Sequence, residues 1–453
     1  QLPRPAGPGA RAGVEGPGLV ADLQKQTACD EMELEQADGL QASPLVQAVS
    51  RPISRRDLFG ALPKAATGAA ALAAVGAALS VTGCGDDSSN ANAPAVLEVP
   101  TNSIVTLESY KEIKKPERYY EMTTVLELDE GTQLFASGSK VACATAPGSS
   151  AKQLTQVYLM GLSSERYVLV LEDAQGKDEG FVIHEARCSD SLLVWVECNY
   201  LTDEWRVYSA SISEDDLSVS SANLLDEGND DYDVPEIAVV DNQAYWIVQP
   251  SEGSPKKTED SLLKTNGGVA YTSHGRFNGG LYTSGKSVVC MPRYDAKSSV
   301  YYQLTAIQNG GVVATQVLPH GFRPSTFTYV NGSFSFGIGA GYDYGDGISN
   351  VGTYIAVGDG TWLRLTRTPV TPAGRVNGWL FCKSSSRTVF VDIKKQRYFT
   401  ISAPSGSEDY GDYSITTGEV DGKLFNYATT ATVKKNKTKR KVELRSIELA
   451  SID

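Results

Sequence analysis

Three observations predict an all-β chain folded as a seven-bladed β-propeller, with six blades as the alternative. From Tyr119 to Leu449, short alternating apolar runs are broken by Gly, Asn, Asp and Ser, which is the period-two pattern of strands. Small polar turns recur between pairs of these runs, at Ser137-Gly138, Asp190-Ser191, Asp241-Asn242, Ser284-Gly285, Asn331-Gly332, Asn377-Gly378 and Asp421-Gly422. The steps between them are 53, 51, 43, 47, 46 and 44 residues, a period that fits one four-stranded blade per hairpin. Finally, the last repeat is one strand short, and an unused strand-like run precedes the first. A flat sandwich accounts less well for a repeat that persists this long.

Asn-Gly and Asp-Gly favour tight hairpins because both central residues must tolerate positive φ. The second repeat is the clearest unit: Ile183 to Cys188 reads as the innermost strand, Leu192 to Cys198 as the second, Trp205 to Ile212 as the third and Leu217 to Leu225 as the outer one. In the sixth, Trp379 to Lys383, Thr388 to Ile393 and Tyr398 to Ile401 follow the turn. The seventh offers an inner strand near Tyr413 to Val420, a second from Lys423 to Val433 and a third from Val442 to Leu449. Glu121 to Leu128 alternates well and is predicted to complete that blade, removing two sheet edges that would invite aggregation. The repeats resemble WD-like and TolB-type propeller repeats of bacterial envelope proteins in period and turn chemistry, without the full Gly-His to Trp-Asp signature.

Ahead of the repeats the chain changes character. Residues 1–53 are rich in Pro, Gly and Ala and then in Gln and Glu, and read as disordered. A start at Met32 would leave a leader of more ordinary length, so residues 1–31 are candidates for non-native or upstream sequence. Next come Ser54-Arg55-Arg56-Asp57-Leu58-Phe59 and an Ala/Gly-rich apolar run, Ala65 to Val81. Paired arginines before a short apolar run resemble the twin-arginine (Tat) export signal, with Leu58 and Phe59 exchanged and Gly60 in place of the lysine. Val81-Thr82-Gly83-Cys84 resembles a bacterial lipobox. That resemblance implies lipidation of Cys84, a membrane anchor and an extracytoplasmic location after twin-arginine export. Residues 85–118 then read as a tether and linker, of which 101–118 fits either a lead-in packed on the body or more linker; residues 119–453 are the propeller.

Composition bounds the function. A net charge of −13 argues against nucleic acid, whose phosphates need a concentrated basic surface. The one basic run, Lys434 to Lys441, falls between the second and third strands of the seventh repeat; a solvated hairpin tip and a contact with anionic lipid or cell-wall polymer are its two readings. Cys143, Cys198, Cys290 and Cys382 occupy second strands of different repeats, too far apart to bridge. With Cys188 they read as small packing residues, and few or no disulfides are expected. Export after folding in the cytoplasm, which the twin-arginine resemblance implies, points the same way. Three histidines in separate repeats argue against multi-histidine metal chemistry. Neither a Gly-x-Ser-x-Gly elbow nor an Asp-box is present.

Loops joining the outer strand to the next inner one, and the second strand to the third, share one face of a propeller. Four of them carry Tyr beside Asp: Asp231, Tyr232 and Asp233; Tyr294 and Asp295; Tyr342, Asp343, Tyr344 and Asp346; and Asp409, Tyr410 and Asp412. Aromatic faces with carboxylates suit sugar stacking with hydroxyl hydrogen bonds, or capture of a cation. Solvated loop tips of common turn residues are the competing reading. No cofactor is expected; calcium is the metal such loops could hold, with Asp343 and Asp346 as first ligands. The sequence therefore points to a monomeric, membrane-anchored binding or scaffolding module for an envelope protein, glycan or small ligand. A glycan-active hydrolase or lyase using two carboxylates on that face is the alternative.

Overall fold

The computed structural model describes residues 95–148, 156–164, 166–296, 299–339, 348, 350–365, 372–408, 413–434 and 437–452. Among them three-residue 3-10 turns are the named helical elements, and seven sheets follow one another along the chain. Six sheets are meanders of consecutive strands, each carried by four principal strands in inner-to-outer order. The second, for example, runs Val182–Cys188, Leu192–Asn199, Glu204–Ser213 and Asn223–Gly228, close to the expected bounds except that its outer strand starts late. The seventh sheet is composite: Tyr120–Asp129, Lys437–Leu449, Leu424–Lys434 and Tyr413–Ser414. Tyr120 pairs with Leu449 and Asp129 with Lys441, so the N-terminal strand closes the ring as predicted. The protein is thus a β-propeller of six self-contained blades and a seventh assembled from both ends.

The turns behave as their residues require. Asn331 and Gly332 have φ of 53° and 75°, and Asn377 and Gly378 47° and 86°, the left-handed pair that twists a hairpin the right way. Adjacent blades are linked at their inner strands: Ser137 Oγ donates to the Cys188 carbonyl at 3.1 Å, Ser284 Oγ to the Tyr329 carbonyl at 2.5 Å, and Thr328 Oγ1 to the Ala373 carbonyl at 3.1 Å. Ala136 N donates to the Ile415 carbonyl at 3.3 Å, tying the last blade to the first.

The core is shared between blades rather than held within one. Trp195 packs with Val141 and Leu159 between blades one and two, and Trp205 with Trp246 between two and three. Phe327 and Phe336 fill the space between four and five, Trp379 and Phe399 that between six and seven. Each such buried side chain contributes about 1.5–3 kcal/mol. Cys143, Cys188, Cys198, Cys290 and Cys382 are buried free thiols within this packing.

Residues 101–118 take the packed lead-in form, one of the two the sequence allowed, and residues 95–100, expected as flexible tether, already pack with them. The segment runs as a belt along outer strands. Leu97 N donates to the Val317 carbonyl of blade four at 2.7 Å, Ile104–Thr106 pairs in parallel with Trp362 to Arg364 of blade five, and Lys111–Glu112 with Arg397 and Tyr398 of blade six. Val99, Leu107 and Tyr110 enter the grooves between blades as it passes. The belt covers three strand edges before becoming the outer strand of blade seven.

Candidate functional site

Blade seven departs from a regular meander at its inner strand. Tyr413–Ser414 stays on its own sheet, whereas Gly418–Val420 pairs in parallel with Gly374–Val376 of blade six. Between them the chain crosses toward the far side of the ring: Thr417 Oγ1 donates to the Thr283 carbonyl of blade four at 2.5 Å, and the Glu419 carboxylate accepts from Asn331 N of blade five at 2.7 Å. These partners sit at the inner hairpin turns, so residues 415–420 lie across that mouth of the central channel. Gly418 makes the crossing possible. Its φ is +75°, and a Cβ there would overlap the Ser284 side chain and backbone. Stoppered at this mouth, the channel has the form of a well.

Four side chains from the inner strands and their approaches meet along this well. Arg187 and Glu185 of blade two form a mostly shielded ion pair, and the Arg187 guanidinium lies 3.4 Å from the centre of the Phe135 ring. Glu236, leading into the inner strand of blade three, accepts from Leu281 N at 2.8 Å. Protein surrounds its half-buried carboxyl, and that burial, reinforced by the negative charge of Glu185, pushes its pKa up to about 8. Tyr282 of blade four is raised well above the ordinary phenol value by burial and then by Glu236. The well thus sets the Glu236 carboxyl, which burial favours in its protonated form at neutral pH, beside the Glu185–Arg187 ion pair and the Tyr282 phenol. Such a set offers donors and acceptors to a hydroxyl-rich ligand, or an acid beside a carboxylate for proton transfer.

Of the residues singled out from sequence, those of the first loop are held in a packed network. Asp231 and Tyr232 are buried. Asp231 accepts from Ser254 Oγ at 3.0 Å with Lys256 Nζ at 3.9 Å, and the Tyr232 hydroxyl donates to Glu259 at 3.2 Å. Asp233 takes Gln249 Nε2 at 3.1 Å and the Arg276 guanidinium at 2.5 Å. This triplet pins the loop after the second strand of blade three. Tyr294 is 37% exposed on the short strand Arg293–Ala296, which also carries Asp295. Tyr342, Asp343, Tyr344, Asp346, Asp409, Tyr410 and Asp412 lie outside the described residues, as do Arg55, Arg56 and Cys84. Among the described residues no group of three His, Cys, Asp or Glu is placed to hold a metal, and no helix is long and apolar enough to cross a membrane. Glu185, Arg187 and Glu236 were missed because no motif marks them; they come together only through the ring.

Fold and well together define a β-propeller protein with one stoppered channel. No family model matches the chain, and no curated protein does. Among solved structures it is similar to the β-propeller domain of the Trilobed protease from Pyrococcus furiosus, at 11% identity and TM-score 0.43 over 72% of this chain and 97% of that one. It is also similar to a prolyl endopeptidase, at 12% identity and TM-score 0.42, covering 69% of this chain and 45% of that one. A third is the polysaccharide lyase Uly1, at 11% identity and TM-score 0.40, covering 75% and 92%. This chain spans less than half the length of the endopeptidase. The propeller assignment rests on the sheet topology itself.

Proposed function

We propose that the chain is an extracytoplasmic binding module, anchored to the bacterial membrane through Cys84 after twin-arginine export, whose well receives a hydroxyl-rich ligand of the glycan class. The observation that carries this is the stoppered well, where Glu236, Glu185, Arg187 and Tyr282 present matched donors and acceptors. The Arg55-Arg56 leader and the Val81 to Cys84 motif support the location. The test uses the full chain with Cys84→Ala on a glycan array, followed by titration of retained saccharides. Arg187→Met should lower affinity at least tenfold, about 1.4 kcal/mol. Wild-type affinity should fall as pH rises through 8, whereas Glu236→Gln keeps its affinity at pH 7 and loses that dependence. Retention of no saccharide sinks the reading. Labelling with a lipid analogue, compared with Cys84→Ala, tests the anchor separately.

One observation favours a second reading, a glycan-active hydrolase or lyase. Glu236 is held protonated beside the Glu185 carboxylate, as an acid with a charged neighbour requires. The same variant separates the two: Glu236→Gln preserves binding at pH 7 but abolishes release of new reducing or unsaturated ends from polysaccharide.

A further inference from the structure

The described residues of the lysine-rich run are strand. The second and third strands of blade seven continue through it, with Lys434 directly opposite Lys437 and Thr432 opposite Lys439. Side chains two apart on a strand share a face, so Lys434, Lys437 and Lys439 stand together on one side of a two-stranded ribbon. The outer strand, Tyr120–Asp129, ends at Asp129 opposite Lys441, and the neighbouring loop pairs only as far as Ala431. The last three residue pairs therefore project alone, about 10 Å at the usual rise per residue. Within the same run Arg440 is paired with Glu408, and Lys441 with Glu127. Among the described residues, Lys434, Lys437 and Lys439 have no acidic partner. Like charges directly opposed destabilise a ribbon. Here the opposition is kept on a chain of net charge −13.

The face matters as much as the charge. Strands alternate in direction, so every turn between second and third strands rises on the same side of the ring. Leu201 sits at that turn in blade two and is 94% exposed; Val433, on the other side of the lysine ribbon, is 68% exposed. Cations with protruding aliphatic tips on one face match a bilayer surface, where phosphate attracts the first and the acyl boundary takes the second. A soluble polyanion would reward only the lysines. Cys84 lies twelve positions before Val96, where the chain joins the belt, a span of at most about 40 Å.

We propose that this face is a membrane-contact surface, with Lys434, Lys437 and Lys439 on anionic headgroups and Leu201 and Val433 at the acyl boundary. It shares the membrane setting of the proposed function and lies on the face away from the stopper of the well, but it involves neither the four side chains of the well nor the lipid. The test is co-sedimentation of the full chain, carrying Cys84→Ala, with phosphatidylcholine vesicles with and without phosphatidylglycerol. Binding is expected on the anionic vesicles only, weakening with salt. K434Q/K437Q/K439Q should lower it about tenfold or more, and L201S/V433S severalfold. Removing three like charges should leave the thermal transition intact, and saccharide binding by the well unchanged. Equal binding to both vesicles, or none, overturns the proposal. So does a triple variant that binds like wild type, or lysine-dependent binding to soluble polyphosphate without binding to vesicles.

Discussion

Asp231 and Glu236 are five residues apart in the segment that joins blades two and three, and their carboxyls meet opposite conditions. Asp231 is enclosed and engaged by Ser254 and Lys256. Glu236 receives the Leu281 amide and faces the like charge of Glu185. A carboxylate supplied with donors and a cation stiffens the loop it holds. One that is desolvated beside another acid keeps its proton, and with it the capacity to donate to a ligand. Acidic composition does not separate these two; the number and sign of their neighbours does.

Glu236 should make stability depend on pH. Its folded pKa of about 8 lies above the unfolded carboxyl value, so the native state binds more protons between roughly pH 4.5 and 8. Stability should therefore be unaffected by this group below that window and decline through it, by up to about 1.4 kcal/mol per pH unit. Contact of the well with water reduces the slope. Urea unfolding at several pH values should find Glu236→Gln progressively more stable than wild type toward pH 8. A wild-type curve parallel to the variant would mean that Glu236 is ionised at neutral pH.

On the Asp231 side the expectation reverses. Asp231→Ala leaves Ser254 without its buried acceptor and Lys256 without its nearby anion, which should cost about 2–3 kcal/mol. The shift in the urea midpoint measures it, at any pH above the carboxylate range. Saccharide affinity in the well should stay within about twofold of wild type, because the triplet braces a loop rather than lining the channel. A large loss of affinity with little loss of stability would return Asp231 to the ligand site.

What could be read in the sequence follows from which forces are local. The hairpins were legible because a left-handed pair of residues demands Asn, Asp or Gly: Asp241, Asn331 and Asn377 have φ near 50°. The closing strand was legible because Glu121 to Leu128 alternates and the last repeat lacked a partner. The belt was legible only as one of two forms for 101–118, since parallel pairings of two and three residues leave no period to detect. Nor was the split of the last inner strand, which depends on Gly418 approaching Ser284 more than a hundred residues away. Glu236 sits in an unremarkable Val-Pro-Glu-Ile, and its chief perturbing charge, Glu185, belongs to another blade. The Tyr/Asp loops drew notice by composition, a property that the buried Asp231 and Tyr232 share with ligand-facing residues.

Tyr232 supplies the finest test of whether the triplet acts as a single braced unit. Its ring packs with Val194, Val239 and Trp246 between blades two and three, while its hydroxyl reaches Glu259 at 3.2 Å and receives Lys256 Nζ at 3.4 Å. Tyr232→Phe keeps the ring and removes only the polar tip. Because Lys256 retains Asp231 nearby, the expected loss is about 1 kcal/mol, the ordinary net worth of a hydrogen bond. A double-mutant cycle with Asp231→Ala sharpens this. Additive losses would make the hydroxyl and the carboxylate separate contacts. A coupling above about 0.5 kcal/mol would mean that Lys256 holds them as one network, since both partners share that single ammonium.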